Sequence, residues 1–205
     1  MVRMCRKQNG EPCGAPKTHA SPKSEPLMAK KEIEKKYLIR ENGETHLTGE
    51  FLWLFPSVDA LICEAKAKGE RIIQGYLPMA CAKALSIEAN FEVDFRPWEA
   101  RLRQIGKTFY FTLKGQGGLT RNEGETKVSK RFFKKYWKLT VGNRIEKMRL
   151  KVKDGNNTAE FDVYLDRDLI VAEIEFPSEK AARRALALGL DITEEEKYKN
   201  RNLAR

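Results

Sequence analysis

The chain repeatedly sets like charges two residues apart. Glu32 and Glu34 stand so in EIEKKYLI, with Lys36 at the next step. Arg101 and Arg103 do so in EARLRQI, Lys147 and Arg149 in RIEKMRLKVK, and Glu173 and Glu175 in VAEIEF, while LTRNEGETKV sets Arg121, Glu123 and Glu125 in a row at that step. Strand side chains alternate, so each set shares one face of its strand. Like charges at that spacing repel unless something of opposite sign lies between them. Paired carboxylates are hard oxygen ligands suited to Mg2+ or Mn2+. Paired Arg and Lys suit phosphate oxygens, Arg through its two-pronged fork. A polyphosphate carrying divalent metal would satisfy both at once. One such strand alone reads as a solvated sheet face. The series differs, because few Thr, Ser, Gln or Asn dilute its acids and bases.

The elements that would carry these residues read mostly as strands. KEIEKKYLI is the first, RIIQGYL (71–77) another, and NFEVDF (90–95) a weaker candidate. EARLRQI and KTFYFTLKG form a hairpin turning at Gly106-Lys107, and LTRNEGETKV continues the alternation. RIEKMRLKVKDG and NTAEFDVYLDRD form a second hairpin around Gly155-Asn156, and LIVAEIEF follows. Helical spacing marks PSVDALICEAKAKG, with Ser57 as N-cap and Gly69 as stop. It also marks residues 129–142, which bury Phe132, Phe133, Tyr136 and Trp137, and PSEKAARRALALG. Thr193 and Glu196 fit a capping box for a last short helix. Apolar residues lie opposite the charges on each strand, among them Ile33, Leu102, Phe111, Leu113, Met148, Leu150, Phe161, Val163 and Ile174. Many hairpins and few helices predict an antiparallel sheet or barrel. Its charged faces would line a lumen, and its apolar faces would lie under the helices.

A chain of 205 residues is one ordinary domain, with net charge +10. That charge favours polyanions as partners. No apolar run reaches the roughly 20 residues of a membrane span, so no membrane role is expected. Residues 1–27 are polar and rich in Gly, Pro, Ser and Lys; they read as a disordered extension, an upstream leader or an expression remnant. The folded domain is expected over 28–205. Cys5, Cys13, Cys63 and Cys81 form no C-x-x-C pair and have only His19 and His46 to join them, which argues against zinc and for reduced thiols in the cytoplasm.

The ordered series resembles the CYTH, or triphosphate tunnel metalloenzyme, superfamily: Glu32-x-Glu34-x-Lys36, Arg101-x-Arg103, Lys114, Arg121-x-Glu123-x-Glu125, Lys147-x-Arg149 and Glu173-x-Glu175. The tail DITEEEKYKNRNLAR is similar to that of bacterial members, and the resemblance runs from about Met28 to Arg205. It implies a mainly β fold, an eight-stranded antiparallel β-barrel forming a charged tunnel with a few helices outside. Glu32, Glu34, Glu123, Glu125, Glu173 and Glu175, with Asp162, would be the metal-side carboxylates. Lys36, Arg101, Arg103, Lys114, Arg121, Lys147 and Arg149 would grip the phosphates, with Tyr76 at the leaving phosphate. Glu123, Glu125 and Lys147 would form the catalytic set.

The implied reaction is hydrolysis of inorganic triphosphate or a related triphosphate or polyphosphate, with Mg2+ or Mn2+. The alternatives are an adenylate cyclase acting on ATP and a non-catalytic polyphosphate or nucleotide binding module. Nucleic acid is disfavoured, since acids interrupt the basic residues; a homodimer is left open. Residues 41–70 and 79–95 are longer than in the compact bacterial form, and the second separates Tyr76 from Arg101. Tyr198 and Asn202 are expected to help plug one tunnel end.

Overall fold

The computed structural model describes residues 30–154 and 157–204. The expected extension over 1–27 and the Gly155-Asn156 turn lie outside them. Within them the strands are β1 (Lys30–Glu41), β2 (Glu44–Thr45), β3 (Glu70–Tyr76), β4 (Glu99–Ile105), β5 (Thr108–Lys114), β6 (Thr120–Val128), β7 (Arg144–Asp154), β8 (Asn157–Tyr164), β9 (Leu169–Glu175) and β10 (Leu190–Asp191). Eight close into an antiparallel ring in the order β1-β6-β5-β4-β3-β7-β8-β9, with β9 returning to β1. The two-residue strands β2 and β10 only flank β1. The expected eight-stranded barrel is therefore the fold, its last strand pairing back to its first.

Alternation along each strand decides which residues face the lumen. Ile33, Tyr37 and Ile39 of β1 point outward, and all three are buried with Phe161 of β8, Ala172 of β9 and Leu150 of β7. Three helices cover that wall: α1 (Gly49–Leu54), α2 (Val58–Lys68) and α5 (Glu179–Arg184). Ser57 caps α2 as expected, its Oγ accepting from the Ala60 amide at 3.2 Å. The opposite wall buries Leu102, Phe111 and Leu113 beneath α3 (Met79–Ala89) and α4 (Lys130–Trp137). A small barrel ordinarily packs apolar side chains inside; here the apolar layer is outside and the lumen is polar.

The lumen is filled at one end. Leu38, Tyr76, Ile145, Tyr164, Leu169 and Val171 share the inward face with the charged residues and meet Ile192, Tyr198 and Ala204 of the C-terminal segment. Tyr198 thus belongs to the plug. Asn202 instead donates to the Glu196 carbonyl at 2.7 Å, and Asn200, at the start of α6 (Asn200–Leu203), accepts from the Tyr164 hydroxyl at 2.5 Å.

Four expectations need correction. NFEVDF is not a strand: Asn90 ends α3 in the left-handed region (φ 49°), and Phe91 and Val93 lie on β6 at Gly124, where a Cβ would come within 2.7 Å of Val93. Its alternation reflects packing of Phe91, Val93 and Phe95 into one apolar layer. α3 went unread because its apolar residues surround the helix without forming a stripe. The capping box does not form, because the Thr193 hydroxyl donates to Asp191 at 2.6 Å and accepts from the Lys36 amide at 3.1 Å. The expected helices over 129–142 and 177–189 shorten to α4 with a 3-10 turn at Lys138–Thr140, and to α5.

Gly75 permits that turn to sit on β3, since a Cβ there would lie 2.5 Å from the Thr140 hydroxyl. Phe161 anchors the other wall, with its ring 5.3 Å from Phe55 and 6.1 Å from Phe51. Phe161→Ala should lower unfolding free energy by about 3–5 kcal/mol in urea melts, since the fixed helices cannot collapse into the gap.

Candidate active site

The lumen is a cavity of about 540 Å³ lined by charged side chains from all eight strands of the ring, including Glu32, Glu34, Arg101, Arg103, Lys114, Arg121, Glu123, Lys147, Arg149 and Glu173. Cross-strand register brings them together. Glu32 pairs with Arg121, Lys36 with Glu173, Lys114 with Glu123, and Arg149 with Asp162. Tyr76 pairs directly with Arg101 despite the intervening α3, and its hydroxyl accepts from Gln74 at 2.7 Å. The long insertion leaves the strand junction unchanged because it loops out at the plugged end.

Every expected phosphate-gripping cation has a carboxylate partner. Lys36 lies 2.7 Å from Glu173, Arg103 2.6 Å from Glu125, and Arg101 3.5 Å from Glu123. Lys114 bridges Glu32, at 3.1 Å, and Glu123, while Arg121 reaches Glu32 at 3.1 Å and Glu34 at 3.7 Å. Arg149 grips Asp162 with two nitrogens at 2.6 and 2.5 Å and Glu173 at 2.7 Å, and Lys147 also holds Asp162. Both Asp162 oxygens are therefore taken by bases, in a position without solvent access. Glu175 sits at the mouth instead, half-exposed and 2.6 Å from Lys30.

Burial and neighbours push these groups apart in acidity. Burial, then the negative charge of Glu173, raises Glu34 to about 7 against the pull of Lys36 and Arg121. Burial also raises Glu123, although Arg101 and Lys114 oppose it. Glu32, in hydrogen-bonding reach of Glu123, goes the other way: burial opposes ionisation there, but Lys114 and Arg121 hold it well below the usual carboxylate range. Burial lowers Lys147 to about 8, with Arg149 adding to the effect and Asp162 resisting it.

Three buried atoms lack a hydrogen bond in this cluster. They are Arg101 Nε, Arg103 Nε and Glu123 Oε2, the last an ion-pair partner of the Lys114 ammonium. Unsatisfied guanidinium N–H groups call for an anionic oxygen, and carboxylates in contact call for a cation between them. Lys114 already lies between Glu32 and Glu123, and Glu34 feels the charge of Glu173; a hard divalent ion at either pair would compete with the bases there. Among the described residues no three acidic or sulfur or imidazole ligands already converge, so such an ion would draw carboxylates away from their bases.

The lumen also contains residues the sequence reading did not single out. Glu160 pairs with Arg149 and, at 2.8 Å, with Lys151; Thr112 donates to Glu125 at 2.6 Å. Both were reachable by stepping two residues from Asp162 and Lys114. Gln74 likewise shares a face with Tyr76. Asn200 had no such signal, because only the folded C-terminal segment delivers it to the cavity.

No family model matches the chain. An inorganic triphosphatase of Nitrosomonas europaea is 40% identical over 113 residues, spanning 52% of this chain and 74% of that protein. A solved inorganic triphosphatase structure is similar with TM-score 0.49 and 28% identity, over 84% of this chain and 97% of its own. A conserved hypothetical protein of Pyrococcus furiosus has TM-score 0.44 and 17% identity, over 74% and 83% of the two chains.

The raised Glu34 carboxyl has a measurable consequence. Its folded form holds a proton that the unfolded chain has released between about pH 4.5 and 7, so its contribution to stability falls as pH rises through that window. Metal-free Glu34→Gln should melt above the parent protein at pH 8 and close to it at pH 5, in paired thermal melts.

Proposed function

The chain belongs to the CYTH, or triphosphate tunnel metalloenzyme, superfamily, and from that membership we propose that it hydrolyses a phosphoanhydride bond of inorganic triphosphate or a close relative. The observation that carries this reading is the pair of buried, unsatisfied guanidinium N–H groups on Arg101 and Arg103, beside a Glu123 oxygen without a hydrogen bond. A metal-bearing polyphosphate answers both needs. The lining is mostly charged, with polar groups such as Gln74 and Asn157 and apolar ones such as Ile72, Ile105 and Phe176 in the minority, and it favours an inorganic chain over a nucleoside.

Arg101, Arg103, Lys114, Arg121, Lys147, Arg149 and Lys36 hold the phosphate oxygens and neutralise charge on the transferred group. Glu32, Glu34, Glu123 and Glu173 would hold Mg2+ or Mn2+, which would supply Lewis-acid neutralisation of the phosphate charge. Glu123 or Glu125 orients the attacking water, Glu125 being itself fixed by Arg103 and Thr112. Asp162, which has no solvent access and does not line the cavity, positions Lys147 and Arg149 in this scheme. Tyr76, paired with Arg101, borders the leaving phosphate. No helix among the described residues is long and apolar enough to cross a membrane; the thiol usage supports a cytoplasmic site of action.

Phosphate release from triphosphate, ATP, thiamine triphosphate and long-chain polyphosphate, each with Mg2+ or Mn2+, tests the proposal. Triphosphate should be turned over best, and Arg103→Ala should lower kcat/KM by about a hundredfold or more. Absence of release from all four substrates would sink the reading. The depressed Lys147 ammonium gives a second check. Above about pH 8 it is largely neutral, and a phosphate anion beside it restores its charge. Triphosphate binding at pH 9 should therefore take up a proton, seen by calorimetry in two buffers of different ionisation enthalpy, and Lys147→Met should abolish the uptake.

A further inference from the structure

Outside the lumen, some exposed bases are matched by acids, as Lys68 is by Glu64, Arg71 by Glu146 and Arg183 by Glu179. Others, such as Lys66, Lys83, Lys107 and Lys180, have no carboxylate within 4.0 Å among the described residues and lie scattered over several elements. The outer face of α4 gathers such bases into one run. It carries Lys130, Arg131, Lys134 and Lys135, and Lys138 follows on the 3-10 turn, with no acid on either element. Lys135 is matched by Glu88 of α3 at 2.7 Å. Among the described residues no carboxylate lies within 4.0 Å of Lys130, Arg131, Lys134 or Lys138, and all four are exposed.

This arrangement works against the helix that bears it. Lys130 and Lys134 are like charges one turn apart, as are Lys134 and Lys138, and such pairs destabilise a helix. Lys130 and Arg131 also occupy the positive end of the helix dipole, where acids are favoured. The Ser129 hydroxyl, accepting from the Phe132 amide at 3.1 Å, supports that end. A row of unmatched cations, about 6 Å apart along the helix axis, is what a linear polyanion would compensate.

The row begins at the lumen mouth. α4 follows the Val128 end of β6, and Val128 pairs with Phe109 beside the β4–β5 hairpin tip. Lys127, exposed and without an ion pair among the described residues, stands four residues beyond Glu123 on the lumen-facing side of β6. From Lys127 the cations run over the rim and down the outer wall toward the plugged end. The aromatic residues of α4 are occupied: Phe132 and Phe133 are buried, Trp137 is covered by Arg144 at 4.5 Å, and Tyr136 is bonded to Glu88. That leaves no free platform on which nucleic-acid bases could stack.

We propose that the outer face of α4 is an accessory binding track for long-chain inorganic polyphosphate, which lies on Lys130, Arg131, Lys134 and Lys138 while its end enters the lumen past Lys127. The identity of the polyanion rests on the reading of the lumen as a triphosphate site; the track itself does not. Binding of fluorescently labelled long-chain polyphosphate is measured without divalent metal, so that nothing turns over, and with excess triphosphate filling the lumen. The parent protein should bind. The variant with all four residues changed to Gln should bind at least about tenfold more weakly, with a log–log salt slope shallower by about 3. The variant with the three lysines changed to Arg should bind like the parent. Hydrolysis of triphosphate by the Gln variant should stay within about twofold of the parent. Unchanged polyphosphate binding by the Gln variant would overturn the proposal. So would equally tight, α4-dependent binding of single-stranded RNA or of vesicles rich in anionic lipid. If the parent protein hydrolyses no triphosphate yet loses polyphosphate binding on α4 substitution, the reaction reading falls and the track stands.

Discussion

A dense set of opposite charges enclosed by a sheet governs this structure. Ionised groups removed from water cost several kcal/mol each unless they are paired and hydrogen-bonded. The barrel meets that demand partly by register, which sets Lys36, Lys114, Arg121 and Arg149 opposite acids on neighbouring strands, and partly by reach, Arg101 and Arg103 crossing β5 to Glu123 and Glu125; Arg149 by itself joins Asp162, Glu160 and Glu173. Such pairs add little net stability, so the apolar layer outside the barrel must hold the fold together. Hence the inversion, with Phe161, Phe111 and Tyr37 packed outside under helices and Lys147 buried inside.

The same network makes the lumen receptive. Its bases and acids neutralise each other, but imperfectly: the Arg101 and Arg103 Nε groups remain unsatisfied, and Glu32 and Glu123 lie against each other. A ligand bearing both signs can exchange partners with both sets, where a bare anion or bare cation would leave half the set stranded. The plug formed by Tyr76, Tyr164 and Tyr198 adds a dry floor, which raises the strength of every charge interaction above it.

The helices illustrate how far local pattern reaches. α2 was readable because Val58, Leu61 and Ala65 form a stripe after a Ser cap. α3 was not, because its apolar residues surround it, and NFEVDF imitated a strand because three of its side chains enter one layer. Thr193 kept a helix-cap signature while its hydroxyl was drawn to Asp191 and to the Lys36 amide, a strand distant in sequence.

Alternation by itself determined most of the inward set, since a strand has only two faces and the runs of acids and bases at every second residue fell on one of them, with Lys35, Arg71 and Glu146 on the other. It therefore determined the barrel's polarity and nearly every charged residue of the site. Pairing was another matter. Which base meets which acid depends on strand order and register, contacts made across tens of residues of chain, and no period in the sequence encodes them. Tyr76 meeting Arg101, Asp162 being consumed by Lys147 and Arg149, and Asn200 entering the cavity were decided only when the ring closed.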